Sequence, residues 1–317
     1  MSRHHQLLGT LAAVAASILG GSAIVATRLA VDMGDPLAFA VLRYVGAGAV
    51  ILIVALVLLR GRLGLTMSGL GPVLALGLLQ FGLFGWLFTA ALAYVPAARG
   101  ALVLATMPIL TLALAALLGR ERITVLTGIG ATVAFAGVTL ALGDRTLAMG
   151  PEVWKGDTLM FAAALVGSTY NVLTGFYSSR FRPLTMTAVQ IPAGGAALFA
   201  ALAVQGDFSG LTQLTPAGWI AAAYVMTFGG AGSFFLWIWA LERIAPSRVA
   251  VTVTLNPVSA ALLGAAVLGE AITWGVLAGL VGVVVGIVLV NRPSRLSGQR
   301  SAAEPGGRPR VHQRDVP

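Results

Sequence analysis

The chain contains one apolar pattern twice. Asp35-Pro36-Leu37 and Arg43 of the first half fall on Arg182-Pro183-Leu184 and Gln190 of the second at an offset of 147, and Gly20 falls on Gly167 at the same offset. Farther along, Arg99 matches Arg248, Pro108 matches Pro257, Glu121 matches Glu270, Ile123-Thr124 matches Ile272-Thr273 and Gly137 matches Gly286, all at an offset of 149. So few insertions mark an internal duplication. Each copy holds five apolar stretches. Five is odd, so the second copy would enter a membrane from the side opposite to the first.

Hydrophobic residues make up 58% of the 317 residues and charged residues only 10%, against about 25% charged in soluble domains. A span needs about 20 apolar residues. Ten such stretches are predicted, at roughly 8–27, 37–59, 70–92, 97–118, 124–142, 157–177, 184–204, 216–240, 249–268 and 274–290. The first follows Arg3 and has the small-residue composition of a secretory signal, but nine more follow, so it reads as an uncleaved helix. Residues 1–142 form the first repeat, 143–156 an extracytoplasmic linker, 157–290 the second repeat and 291–317 a disordered basic tail rich in Gly, Pro and Arg.

The net charge of +9 comes from 19 arginines and Lys155. With the N-terminus inside, 15 of the 20 positive residues lie on the cytoplasmic side, as the positive-inside rule requires. Both termini are then cytoplasmic, and the basic tail suits anionic lipid rather than nucleic acid. The chain has no cysteine, and His4, His5 and His312 all lie in the tails. Thiol chemistry, an intramembrane metal cluster and, with no P-loop, ATP hydrolysis lack their residues. Neither Asp nor Glu lies near the bilayer centre, which disfavours proton coupling there.

Each half ends in the same run. The first reads Arg99-Gly100-Ala101 … Met107-Pro108 … Leu118-Gly119-Arg120-Glu121-Arg122-Ile123-Thr124; the second reads Arg248-Val249-Ala250 … Asn256-Pro257 … Leu268-Gly269-Glu270-Ala271-Ile272-Thr273. With Arg43 in the second stretch, the chain resembles the EamA-type transporters of the drug/metabolite transporter superfamily over residues 8–290. The resemblance implies an all-α membrane protein: ten transmembrane helices as two inverted five-helix repeats around a central cavity, lined mainly by spans 1, 3, 4, 6, 8 and 9. It also implies secondary transport, with export or exchange of small metabolites such as amino acids across a bacterial inner membrane. Many members carry Glu-Pro where this chain has Asn256-Pro257, so a mechanism needing that carboxylate does not carry over.

Pro108 and Pro257 each remove a backbone hydrogen bond near mid-membrane, a break tolerated where it lines a cavity or packs on other helices. Asn256 precedes one of them. Gln80, Tyr170 and Asn171 add polar groups at comparable depth, and an unpaired amide in hydrocarbon is costly. These four, with Thr106, Trp86 and Trp237, are the expected cavity residues. Interhelical bonding is the competing role for the amides. Such a lining, poor in charge, fits a net-neutral substrate such as a zwitterionic or aromatic amino acid. Arg43 is expected to reach Glu270 in one access state, and Gln190 to reach Glu121 in the other; the competing reading is that Glu121 and Glu270 only terminate helices. Gly275, Gly279, Gly282 and Gly286 are expected to serve internal packing, which makes a monomer the simplest unit while leaving a dimer compatible. No cofactor is expected. A channel or multidrug permeation pathway is the alternative function, and an intramembrane enzyme a remote one, because nucleophile–base pairs are missing.

Overall fold

The computed structural model describes residues 3–31, 34–61, 64, 67–119, 125–143, 150–177, 181–241, 243, 252 and 255–290. The expected roles of Glu121 and its neighbours Arg120 and Arg122 lie outside these residues. Every regular element among them is helical. α1 spans Arg3–Val31 and α2 Pro36–Leu58; α3 (Met67–Gly77) runs through a π-helical segment, Leu78–Leu83, into α4 (Phe84–Ala91). α5 (Ala97–Leu104) and α6 (Met107–Leu117) are one rod broken at Ala105–Thr106, followed by α7 (Val125–Gly143). The second half runs α8 (Val153–Tyr177), α9 (Pro183–Gln205) and the short α10 (Ser209–Thr212). It continues with α11 (Pro216–Met226), a second π segment (Thr227–Gly232), α12 (Ser233–Leu241), α13 (Leu255–Leu268) and α14 (Trp274–Val290).

Among the described residues, six stretches are long and apolar enough to cross a membrane: Gln6–Val31, Pro36–Leu58, Gly69–Ala91, Ala97–Leu117, Leu184–Gln205 and Pro216–Trp237. Three shorter apolar helices, Gly128–Gly137, Leu255–Leu268 and Trp274–Gly286, accompany them. α8 is 25 residues long but carries Ser168, Thr169, Tyr170 and Asn171 in series and is not among the six.

Local chemistry sets the helix starts. The Asp35 carboxylate accepts from the Leu37 and Ala38 amides (3.3 and 3.0 Å), with Pro36 opening α2, a side-chain cap on otherwise orphaned N–H groups. Pro183 and Pro216 open α9 and α11 in the same way. The two π segments lie 149 residues apart, the offset of the sequence repeat. Apolar periodicity cannot announce such an insertion in helices that are hydrophobic all round.

The neighbours repeat as well. α2 packs on α9 and α7 on α14, while α1 lies against α11, α12 and α13 as α8 lies against α4, α5 and α6. Glycines permit the closest approaches. A Cβ at Gly137 would sit 2.9 Å from the Gly282 Cα, and one at Gly286 would sit 2.5 Å from both the Ala134 Cβ and the Gly130 carbonyl. Gly282 and Gly286 of the last helix therefore face α7, inside the protein.

Candidate functional site

The two proline breaks meet the first helix of the opposite half. In α6, Pro108 is the second residue and offers no N–H to the carbonyl four residues back. The buried Thr106 hydroxyl turns back onto the Val103 carbonyl at 2.7 Å. Ser168 of α8 donates to the Met107 carbonyl (3.1 Å), sharing its proton with the Ala164 carbonyl (2.7 Å). In α13 the arrangement is inverted in donor. Ser259, on the same helix as the break, donates to the Asn256 and Leu255 carbonyls at 3.1 and 2.8 Å. Gly21 stands where Ser168 stands in the other half, and a Cβ there would lie 1.9 Å from Ser259 Oγ and 2.4 Å from the Asn256 carbonyl. One position earlier, Gly20 faces the Asn256 amide (3.2 Å from an added Cβ to Nδ2), and its repeat equivalent Gly167 faces the Met107 methyl (2.3 Å).

Polar groups without a protein partner gather in the interior. Among the described residues, Gln80 Oε1, Gln190 Nε2 and Asn256 Oδ1 are buried and make no hydrogen bond within the protein. Each such group costs about 1–3 kcal/mol unless another polar group satisfies it. Gln190 is fully buried, and its Oε1 accepts from the Tyr170 hydroxyl at 2.8 Å. Phe81 packs edge-on against Tyr44, Tyr170 and Phe234, at 5.9, 6.4 and 5.5 Å between centroids. Helices from both halves therefore meet at one aromatic and amide cluster. Tyr170→Phe is expected to leave the Gln190 amide without any partner and to cost about 1–3 kcal/mol, read as a lower melting temperature in detergent.

The remaining expected residues fall elsewhere. Asn171 is exposed and holds only a long contact from Nδ2 to Thr111 (3.4 Å). Trp237 packs with Ala12, Ala13 and Ala240. Trp86 is 41% exposed and lines a groove of about 590 Å³ with Asp35, Gly82, Ala197, Ala201 and Gln205, between α4, α9 and the start of α2. Its neighbours Phe81 and Phe88 are buried.

Arg43 and Glu270 have separate partners here. Arg43 Nη1 donates to Thr27 Oγ1 at 2.8 Å, and its guanidinium lies over the Tyr44 and Phe88 rings at 5.2 and 5.1 Å, a cation–π setting that offsets desolvation. The Glu270 carboxylate accepts from the Ala97 and Ala98 amides at 2.8 and 3.3 Å. It thus caps the start of α5, whose own N-cap residue is Pro96 and supplies no side-chain acceptor. Two residues on, Arg99 donates through Nε and Nη2 to both Asp157 oxygens of α8, at 2.8 and 2.6 Å. Arg99 is 4% exposed. The signal available for this pair was a repeated arginine at the start of a rod that is otherwise apolar.

The sequence matches the EamA-like transporter family twice, over residues 7–143 and 154–292. The chain belongs to the EamA-like transporter family. This EamA-like protein is 30% identical over 280 residues to the uncharacterized inner membrane transporter YedA of Escherichia coli K12, covering 86% of this chain and 87% of the relative. It is 26% identical to an uncharacterized transporter of Archaeoglobus fulgidus, covering 86% of this chain and 94% of that one. A protein crystal structure 23% identical in sequence shares the fold, with a TM-score of 0.66 over 93% of this chain and 99% of the other. Family membership and the apolar helices make it a multi-pass membrane transporter.

Proposed function

We propose that this EamA-like protein is a secondary transporter that moves small metabolites across a cytoplasmic membrane by alternating access, both termini facing the cytoplasm. In this reading ten spans form two inverted five-helix repeats around a shared pathway, and inverted repeats let two halves exchange conformations. One observation carries the proposal: each half presents its pre-proline residue, Met107 or Asn256, to the glycine at the equivalent place in the other half's first helix, Gly167 or Gly20. The family match to each half and the two π segments at the repeat offset support the same reading.

The substrate class follows from the interior. Gln80, Gln190 and Asn256 offer unsatisfied amide groups, Phe81 and Tyr170 offer rings, and Arg43 is already engaged. Amides and rings suit a net-neutral amino acid or a relative of one.

Asn256→Leu is near in volume but removes both amide functions. It is expected to lower flux of the transported substrate by about tenfold or more, as loss of a buried polar contact does, with little change in melting temperature. Flux at the parent rate across a panel of labelled amino acids in proteoliposomes would remove Asn256 from the pathway.

A further inference from the structure

We propose that α5 is a moving gate at the end of the bundle that carries Glu270, and that Glu270 together with the Arg99–Asp157 pair forms the clamp that holds it shut. The proposal rests on the alternating-access reading. It assigns to α5 a task that neither the repeat nor the family match specifies.

α5 is eight residues long, and Ala97 through Val103 are all buried. It is separated from α6 by the break at Ala105–Thr106, directly before Pro108. A short rigid rod hinged at one end can swing as a unit, since hinges are a few element-terminal residues that absorb the backbone change. Its far end is tied to the other half twice. Glu270, 173 residues away, takes the Ala97 amide at 2.8 Å and the Ala98 amide at 3.3 Å. Asp157 of α8 takes Arg99 through two hydrogen bonds. Both ties are charge-assisted, the strong kind. Both join the first repeat to the second, so neither survives a movement of α5 relative to α8 and α13. Arg99 Nη1 is buried and unpartnered within the protein, so the shut state still leaves one donor of the pair unsatisfied.

The opposite end of the repeat is built more weakly in sequence. At the repeat offsets, Asp157 corresponds to Thr10, which bears no charge, and Ala97 corresponds to Pro246, which has no N–H to offer a carboxylate. The equivalent clamp would lose its ion pair and one of its two amide contacts. The conformation shut at the Glu270 end is therefore the resting one, and opening that end is the harder half of the cycle.

The chain has no cysteine, so a single introduced thiol reports accessibility cleanly. Ala101→Cys places that thiol on buried α5, and a membrane-impermeant maleimide is applied to each face of oriented vesicles. Adding Glu270→Ala is expected to speed labelling from the Glu270 face about tenfold, by loss of hydrogen bonds to a charged group. Arg99→Met with Asp157→Leu, which removes the pair without stranding a charge, is expected to act in the same direction. Unchanged labelling in both backgrounds would overturn the clamp. A covalent version gives an independent check. A Cβ at Gly264 lies 3.8 Å from the Ala97 Cβ, a separation that suits a disulfide, and 2.7 Å from Glu270 Oε2, so the cross-link is built together with Glu270→Ala and takes the place of that carboxylate. Ala97→Cys with Gly264→Cys should cross-link on oxidation, stop flux, and recover on reduction. A cross-linked protein that carries flux at the normal rate would overturn the gate. Labelling needs no substrate, so a labelling shift in a protein that transports nothing would uphold the gate while removing the transport reading.

Discussion

Leucine at Gly137 or at Gly282 is expected to be among the most damaging single substitutions at the described residues. These residues form the seam between α7 and α14. A Cβ at Gly137 would lie 2.9 Å from the Gly282 Cα and 3.0 Å from the Gly279 carbonyl; a Cβ at Gly282 would lie 2.8 Å from the Gly137 Cα. The obstructing atoms are backbone, so no rotamer change relieves the clash, and the two helices must separate. Overpacking typically costs about 1–3 kcal/mol, and a branched side chain against backbone belongs at or above the top of that range. Helices in lipid associate through such close packing because hydrophobic burial between them supplies little. The measurement is the yield of monodisperse protein in detergent and its melting temperature. Gly128→Leu is the control: it lies on the same helix, and a Cβ there meets nothing within 4 Å, so a change within about 0.5 kcal/mol is expected. Equal losses at Gly128 and Gly137 would remove the seam as the cause.

Arg99→Ala should destabilise the protein by about 3–5 kcal/mol, the range for breaking a buried pair from one side. The Arg99 and Asp157 side chains are 5% and 23% exposed. The substitution leaves a carboxylate that has lost both donors in a poorly solvated place. Removing both groups, as Arg99→Met with Asp157→Leu, is expected to recover most of that loss, because a well-packed apolar pair can match a buried ion pair. A double-mutant cycle on melting or on denaturant unfolding gives the coupling. A coupling under about 0.5 kcal/mol would mean that solvent screens the pair and that burial adds little to it. The exposed Lys155–Glu152 contact on the same helix is the comparison, and its removal should change stability by less than about 1 kcal/mol.

Membrane character, the duplication and most helix positions could be read from the sequence because each has a chemical marker. Asp35-Pro36 and Pro183 mark helix starts whether or not anything packs on them, and the structure begins α2 and α9 there. Pro108 marks the break between α5 and α6 for the same reason. What could not be read was facing. A rod that is apolar on all sides does not show which side is inner, so the groove that Trp86 lines with α9 and the start of α2 cannot be read from the sequence. The π segments at Leu78–Leu83 and Thr227–Gly232 were hidden likewise, because inserting one residue into a uniform apolar run changes no pattern.

Glu270 gives a second lesson. Charge logic sought a cation for it and proposed Arg43. The structure gives Glu270 two backbone amides and gives Arg43 a hydroxyl and two rings. Backbone donors at a helix start are invisible to any pairing of charged letters, and so are aromatic faces. Glu270 does both: its backbone N–H donates to the Gly264 carbonyl at 3.2 Å and closes its own helix, and its carboxylate caps a helix of the other half. Arg99 and Asp157 were both legible as charges, but only packing of α5 on α8 could show that they meet.

Counterflow in proteoliposomes tests alternating access most directly. Vesicles holding the purified protein are loaded with excess unlabelled amino acid, and labelled amino acid is supplied outside, with no pH gradient. An alternating-access carrier for net-neutral amino acids predicts transient accumulation of label above equilibrium, saturation with external substrate, and loss of the signal in Asn256→Leu. Flux that rises linearly with concentration, shows no overshoot with any amino acid and does not respond to internal substrate would mean an open pathway, and would contradict alternating access in this protein.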